Sequence, residues 1–284
     1  MSKRPSISVC IPTVRGWGPE LRAVCDALAP QTAAVGGEVF VLDGSGRPEP
    51  PDGALPAAVN WRSVPRTSVA RLRTDILAAA EGEIVAITED HCRATDDWCA
   101  LMLSIHREHP EIDVVGGSVD NDSRASALDW AAFYIGYVPD MPPLPIDRGP
   151  GQPRVSMINA AYKRRALAPK AGPSVAMNDA RLQIWHSESY GVRGTTGVNF
   201  HSGRTVEGLR RDEVPERHVL RAVRALALPG PRVARRLLTG YRRGQPVGRL
   251  ARSAPWMLWL AWVQSFGEAL GALDGAGSSP GKVR

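Results

Sequence analysis

The sequence is poor in cysteine, and its few cysteines lack the spacing of a zinc site. The 284-residue chain has four, at Cys10, Cys25, Cys92 and Cys99. Nothing in their placement indicates a disulfide framework, so the sequence predicts a reduced, cytosolic protein. The chain also shows no internal repeat.

A long apolar run is missing at the N-terminus. The segment MSKRPSISVCIPT contains basic residues, but its apolar stretch is short and is broken by Pro12. We therefore expect a first β-strand there and not a signal peptide. At 43% hydrophobic and 23% charged residues, the chain has the composition of a globular protein and is long enough for one large domain or two small ones.

Acidic residues are scarce in one part of the chain. Residues 204–252 contain 13 arginines and only four acidic residues, a net charge of +9, whereas residues 1–203 carry −3. Such a segment predicts an anionic neighbour, either membrane lipid or nucleic acid. A solvated arginine-rich helical face is the alternative. Of the two partners we expect a membrane surface and no nucleic acid.

Strand-like and helical patterns alternate over the first 120 residues. SISVCIP, GEVFVLDGSG, VNWRSVP, EIVAIT and IDVVGGSV have the pattern of strands, and the segments between them have helical periods. One of these helices, TSVARLRTDILAAAEG, has Thr or Ser as its N-cap and Gly82 as its expected C-cap. The alternation predicts an α/β fold with a mixed, mainly parallel sheet and helices on both faces.

Polar side chains follow three of these strands. They are Thr13, Asp43 and the triplet Glu89-Asp90-His91. Ligands of open α/β sheets bind beyond the carboxyl ends of the strands, so we expect these side chains to share one crevice. By itself the triplet could be a turn in which Asp90 caps the next helix, a metal site, or a general acid/base pair.

The rest of the chain predicts a long loop and further helices. Residues 137–153 are rich in Pro and Gly and predict a loop of the kind that often acts as a lid or binding loop. NDARLQIWHSESYG predicts a helix with Asn178 as its N-cap. Residues 254–273 carry one charge, Glu268, and predict a helix with Pro255 in its first turn. This helix is long enough to span a bilayer, but its Trp content fits the membrane interface, and a core helix is the alternative.

Several segments together resemble the family 2 glycosyltransferases, which have the GT-A fold. These segments are SVCIPTVRGWGPELRAVCDALAPQT, EVFVLDGSG, VARLRTDILAAAEGEIVAITEDHC, INAAYKRRAL, NDARLQIWHSESYGVRG and VNFHSG. They occur in the family's order and cover roughly residues 6–203. The resemblance implies a catalytic domain over residues 1–203 and a basic and apolar helical region over residues 204–284.

The resemblance implies a binding site for a nucleotide-sugar donor. Asp43 would accept a hydrogen bond from the nucleobase, and Pro12, Thr13 and Val14 would form the wall around base and ribose. Arg73 stands where the family has a donor-side arginine, whose planar fork suits a diphosphate. A surface ion pair is the alternative for Arg73.

The triplet stands in the position of the family's Asp-x-Asp motif. Glu89 and Asp90 would lie on the donor side, and His91 replaces the aspartate that ligates a Mg or Mn ion in the family. The resemblance therefore implies a divalent cation, Mn or Mg, held by His91 with help from Glu89 or Asp90. His201, which follows a strand in the family pattern, is the second candidate ligand, and a satisfied buried histidine is its alternative.

The implied reaction is transfer of a sugar from the donor to an acceptor hydroxyl, with inversion, in bacterial-type glycan or glycolipid assembly. Asp179 would be the general base that removes the proton of the attacking hydroxyl; a charge at a helix N-terminus is its alternative. We expect a glycan or lipid-linked acceptor and a cytoplasmic enzyme, peripheral on the inner face of the membrane. A nucleotidyltransferase and a non-catalytic binding protein are the rival functions.

Overall fold

The computed structural model describes residues 4–144, 155–168, 174–213 and 217–282. The chain forms two compact units. The first consists of Met1–Asp120 with Asp140–Ser187, and the second of Asn121–Pro139 with Glu188–Arg284. The units therefore do not divide the chain after residue 203, where the sequence predicted a domain boundary.

Eight strands and eight α-helices make up the described part of the chain. The strands are β1 Ile7–Thr13, β2 Glu38–Asp43, β3 Val59–Ser63, β4 Ile84–Ile87, β5 Cys92–Ala94, β6 Val114–Asn121, β7 Ala160–Lys163 and β8 Ala176–His186. The helices are α1 Pro19–Ala34, α2 Val69–Ala79, α3 Trp98–Glu108, α4 Ala127–Tyr137, α5 Gly191–Glu213, α6 His218–Ala227, α7 Pro229–Arg242 and α8 Val247–Asp274.

The strands form one mixed sheet in the order β3-β2-β1-β4-β7-β6-β8-β5. Strands β1 to β4 are parallel, and β7 runs antiparallel to both β4 and β6. The connection β1-α1-β2 moves towards one edge of the sheet, whereas β3-α2-β4 moves towards the other. Right-handed crossovers in opposite directions place their helices on opposite faces. The predicted α/β architecture is thus confirmed.

Helix α2 covers one face of the parallel part of the sheet. Ser68 caps its first turn by accepting a hydrogen bond from the Arg71 N–H, as the sequence predicted. Its apolar side chains, Leu72 and Ile76, are fully buried against Cys10 and Ile87 of the sheet. The C-cap is Ala80, which takes an extended conformation, two residues before the predicted cap, Gly82.

Residues 176–186 form strand β8, and the predicted helix there is wrong. Leu182, Ile184 and His186 are buried while the residues between them are partly exposed, which is the period of two expected of a strand. The strand also lies very close to β6. A Cβ atom on Gly117 would stand 2.4 Å from the Leu182 carbonyl oxygen, so glycine is required at this approach.

Two other predictions about the later chain are corrected. VNFHSG lies inside α5 and does not follow a strand. Helix α8 begins at Val247, so Pro255 lies in its interior and not in its first turn. Of the predicted loop, residues 138–140 form one short helical turn, and residues 145–153 lie outside the described residues.

The second unit consists mainly of helices. Helix α8 packs along α5 and also contacts α4, α6 and α7. Within the described ranges, no helix combines the length and the apolar character needed to cross a bilayer.

Candidate metal centre

Three strand ends meet at one edge of the sheet, as the sequence predicted. Thr13 at the end of β1 lies opposite Asp43 at the end of β2 in the parallel register. The Thr13 hydroxyl donates a hydrogen bond of 2.6 Å to Asp90 Oδ2, which lies just beyond β4. Asp43 is buried and accepts a hydrogen bond from the Ser45 N–H. Pro12 belongs to β1, and Val14 packs beside it on the core.

Three side-chain atoms converge next to this edge. The Nε2 atoms of His91 and His186 are 2.9 Å apart. Glu89 Oε2 lies 3.6 Å from the former and 3.3 Å from the latter. In the described part of the chain these three residues form a group whose ligand atoms could hold one metal ion. We call Glu89, His91 and His186 the ligand triad.

His186 enters the triad through the pairing of two distant segments. Strand β5 follows the triplet directly and pairs with β8, with Cys92 opposite His186. The Ser187 N–H donates to the His91 carbonyl oxygen at 3.1 Å, which fixes the two histidines side by side. Sequence reasoning missed His186. Its alternation with Leu182 and Ile184 was the available signal, because it places His186 on the buried face of a strand.

Asp90 orients His91. Burial opposes the ionised form of Asp90, but the hydrogen bond from His91 and the charge of Arg15 outweigh it and lower the pKa of Asp90. An ionised carboxylate only accepts hydrogen bonds, so His91 Nδ1, 2.6 Å from Asp90 Oδ1, carries the proton. In neutral His91 the Nε2 lone pair then faces the triad. A carboxylate behind a ligating histidine is the usual partner of a metal-bound imidazole.

Glu89 is held in its ionised form. Burial again opposes the charge, but the hydrogen bond from His186 and the guanidinium of Arg73 hold the pKa of Glu89 well below its usual range. Arg73 of α2 pairs with Glu89 Oε1 through Nη2. Among the described residues, the buried Nε of Arg73 has no hydrogen-bond partner. Arg73 therefore keeps a donor that could serve an anion at this site.

The triad fits a divalent cation. Ligand atoms about 2.1 Å from one ion, at right or tetrahedral angles, stand roughly 3.0–3.4 Å from each other, close to the observed 2.9–3.6 Å. Two imidazole nitrogens and one carboxylate oxygen suit Mn²⁺ and other transition metals better than Mg²⁺, which prefers oxygen ligands.

The structure does not bring Asp179 to the triad. Asp179 lies on β8 seven residues before His186, about 23 Å away along an extended strand. Its carboxylate accepts from the Arg181 side chain and backbone N–H, and Arg181 also pairs with Glu108. Burial opposes ionisation of Asp179, but the Arg181 bonds lower its pKa. The base assignment thus stays a prediction without support from the geometry.

His201, the second predicted ligand, does not belong to the metal-binding group. It belongs to α5 in the second unit, and its Nδ1 is 3.0 Å from the Ser279 hydroxyl oxygen. Burial and the nearby charges of Lys282 and Arg204 lower its pKa. It is not part of the ligand triad.

Asp90→Asn is expected to weaken Mn²⁺ binding about 10- to 100-fold. The asparagine side chain of this variant has an NH₂ group as well as a carbonyl oxygen, so it can donate to His91 Nδ1 as well as accept from it. The proton of His91 can then lie on Nε2, and in that tautomer Nε2 has no lone pair for the metal. Calorimetric titration with Mn²⁺ measures the effect. Asp75→Asn, at an exposed carboxylate paired with Arg71, is the matched control. Equal affinity in wild type and Asp90→Asn would contradict the orienting role of Asp90.

Comparisons with known proteins bear on the fold. No family model matches the sequence, and no curated protein is detectably similar to it. Among solved structures, a mannosyltransferase from Pyrobaculum calidifontis, PcManGT, in complex with GDP-Man and Mn²⁺, has a TM-score of 0.52 at 16% identity. That match covers 96% of this chain and 88% of the other. It shows that the chain has a GT-A-like fold.

Two weaker similarities accompany it. GalNAc-T7, solved with UDP, GalNAc and Mn²⁺, is 12% identical with a TM-score of 0.48, over 67% of this chain and 45% of that one. A mycobacterial protein is 15% identical with a TM-score of 0.42, over 66% and 69% of the two chains.

Proposed function

We propose that this chain is a metal-dependent glycosyltransferase that moves a sugar from a nucleotide-diphosphate sugar to an acceptor hydroxyl. The observation that carries the proposal is the ligand triad, placed beside the carboxyl ends of β1, β2 and β4 in a GT-A-like sheet. Ligands of such sheets bind at this edge. The solved structure of PcManGT, which holds GDP-Man and Mn²⁺, supports the same substrate class and the same metal.

In this proposal Glu89, His91 and His186 hold a divalent cation, with Mn²⁺ favoured over Mg²⁺ because two of the ligands are nitrogens. The cation, when bound, neutralises charge on the leaving nucleoside diphosphate. Asp90 keeps His91 in the ligating tautomer. The Glu89 carboxylate is kept ionised by Arg73.

The neighbouring side chains have complementary tasks towards the donor. Arg73 keeps an unpartnered N–H beside Glu89, and we assign it to the donor diphosphate. Asp43 lies buried at the end of β2, where its carboxylate would accept from a nucleobase N–H. Thr13 links β1 to Asp90, and with Pro12 and Val14 it would line the base and ribose. Inversion at the anomeric carbon and a glycan or lipid-linked acceptor complete the proposal and rest on the family resemblance.

A donor screen tests this function. Wild-type protein is incubated with GDP- and UDP-sugars, with and without Mn²⁺, and release of the nucleoside diphosphate is followed by mass spectrometry. We expect release from at least one donor that requires Mn²⁺. If donor affinity is the same with and without Mn²⁺, and no donor yields free nucleoside diphosphate, the non-catalytic binding protein is favoured instead.

Asp179→Asn belongs in the same screen. If Asp179 is an ion-pair residue of the first unit, the variant transfers sugar to an acceptor at a rate close to wild type. If it is the general base, sugar transfer to an acceptor falls by about 10²–10⁴-fold. The geometry favours the first outcome, because the Asp179 carboxylate is occupied by Arg181.

A further inference from the structure

Helix α6 of the second unit buries small side chains and exposes bulky apolar ones. Its buried side chains are the small ones, Ala222 and Ala225, and Ala222 packs with Ala269 and Ala272 of α8. Its bulky aliphatic side chains are exposed by 41–66%; they are Val219, Leu220, Val223 and Leu226. A helix in water normally buries its bulky side chains and exposes polar ones. Helix α6 therefore leaves a bulky apolar face exposed, which is the kind of surface that another molecule or a membrane covers.

Helix α8 repeats this arrangement. Gly267 and Gly271 face α5 so closely that a Cβ on either would come within 2.4 Å of a backbone oxygen of Phe200 or Arg204. This spacing of glycines four residues apart, at a close helix contact, is typical of helix pairs in membranes. Helix α8 buries Met257 and Leu260, but four of its bulky side chains point outward, each exposed by 42–55%; they are Leu258, Trp259, Trp262 and Phe266.

The outward side chains of α8 form one stripe. At 100° per residue, positions 258, 259, 262 and 266 lie within about 100° of one another on the helix. Two of the four are tryptophans, whose amphipathic rings favour the boundary between water and lipid. We call this set the aromatic stripe.

The second unit also carries an excess of positive charge. A cavity of about 490 Å³ among α5 to α8 is lined by five arginines and two glutamates. The glutamates are partly neutralised within the unit, since Glu207 pairs with Arg221 and Glu268 pairs with Arg232. The remaining excess of guanidinium groups agrees with the net charge of +9 over residues 204–252. Arginine clusters of this kind attract phosphate groups.

We propose that the second unit binds the surface of a bilayer that contains anionic lipids. The aromatic stripe and the exposed face of α6 enter the interface, and the arginines contact lipid phosphates. In this proposal the helices lie in the plane of the interface. An anionic surface complements the arginine excess, whereas a second copy of the chain would bring like charges together.

A vesicle flotation assay tests the proposal with full-length protein. Wild type is expected to bind vesicles of phosphatidylcholine with phosphatidylglycerol, to bind pure phosphatidylcholine vesicles much more weakly, and to lose affinity as salt rises. The double variant Leu258→Ser/Trp262→Ser should lower the partition coefficient for the anionic vesicles by about tenfold or more. Neither residue has a polar side-chain contact that the substitution would remove from the described fold.

The matched control is Met157→Ser/Val175→Ser, which removes two equally exposed apolar side chains from the first unit. It is expected to leave vesicle binding unchanged. The proposal is overturned if wild type does not bind anionic vesicles or if the double variant, shown to be folded by circular dichroism, binds them as wild type does. It is also overturned if sedimentation shows a wild-type dimer that the double variant converts to a monomer without any vesicle binding.

Discussion

Replacing His186 with alanine is expected to weaken Mn²⁺ binding by on the order of a hundredfold or more, and with it the release of nucleoside diphosphate from the donor. His186 supplies one of the two nitrogens of the ligand triad, and its Nε2 lies 2.9 Å from that of His91. Its loss leaves one imidazole and one carboxylate, a set too small to hold the ion well.

Calorimetric titration with Mn²⁺ measures this loss, and circular dichroism shows whether the variant is folded. His109→Ala, a partly exposed histidine of the first unit beside Glu111, is the matched control and should bind Mn²⁺ as wild type does. Unchanged affinity in the His186 variant would remove His186 from the site. A loss of equal size in the control would show that histidine replacement acts through the fold.

Gly117→Ala should destabilise the protein by about 2–3 kcal/mol. The added Cβ would stand 2.4 Å from both the Leu182 carbonyl oxygen and the Asn159 side-chain amide, and neither neighbour is a flexible side-chain end in open space. Relief of the contact with the Leu182 carbonyl oxygen requires β8 to shift relative to β6, and β8 carries His186. We therefore expect weaker Mn²⁺ binding in addition to a lower free energy of unfolding.

Urea denaturation followed by fluorescence measures the free energy of unfolding. Gly136→Ala is the control, because Gly136 lies in α4 and a Cβ there would meet nothing within 4 Å. Alanine in a helix should be neutral or stabilising by up to about 1 kcal/mol. If the two variants have the same stability as wild type, the close approach of β6 and β8 is not a constraint on the fold.

The parallel half of the sheet could be predicted because its signals are local. Apolar runs bounded by helical periods gave β1, β2 and β4, and polar residues directly after them marked the edge where ligands bind. The meeting of Thr13, Asp43 and Asp90 follows from strand order alone, since the carboxyl ends of adjacent parallel strands lie together.

The ligand triad could not be completed from the sequence, because His186 lies 95 positions from His91. Only the β5–β8 register brings them together, and register between distant strands has no local signal. The residues Asn178 and Asp179 are typical of a helix start and predict a helix. The alternation of Leu182, Ile184 and His186 predicts a strand, and the structure has the strand. Close packing against β6 decided in favour of the strand.

Two sequence patterns in the second unit are also overridden by the structure. VNFHSG resembles a pattern of strand-end residues, yet it lies inside α5, where Gly203 faces the close contact with α8. The local preference of proline predicts Pro255 in the first turn of a helix, whereas α8 begins eight residues earlier, at Val247. The close contact between α5 and α8 involves residues of both helices, so it is not visible in either segment alone.

Pulsed electron paramagnetic resonance of Mn²⁺ bound to the wild-type protein, in the presence of GDP or UDP, identifies the ligands of the ion directly. If Glu89, His91 and His186 hold the ion, the spectrum contains couplings to the nitrogens of both histidines and to the phosphorus of the nucleotide. In His186→Ala the number of coupled histidine nitrogens should fall from two to one. A Mn²⁺ spectrum with phosphorus coupling but no histidine nitrogen would contradict the central claim.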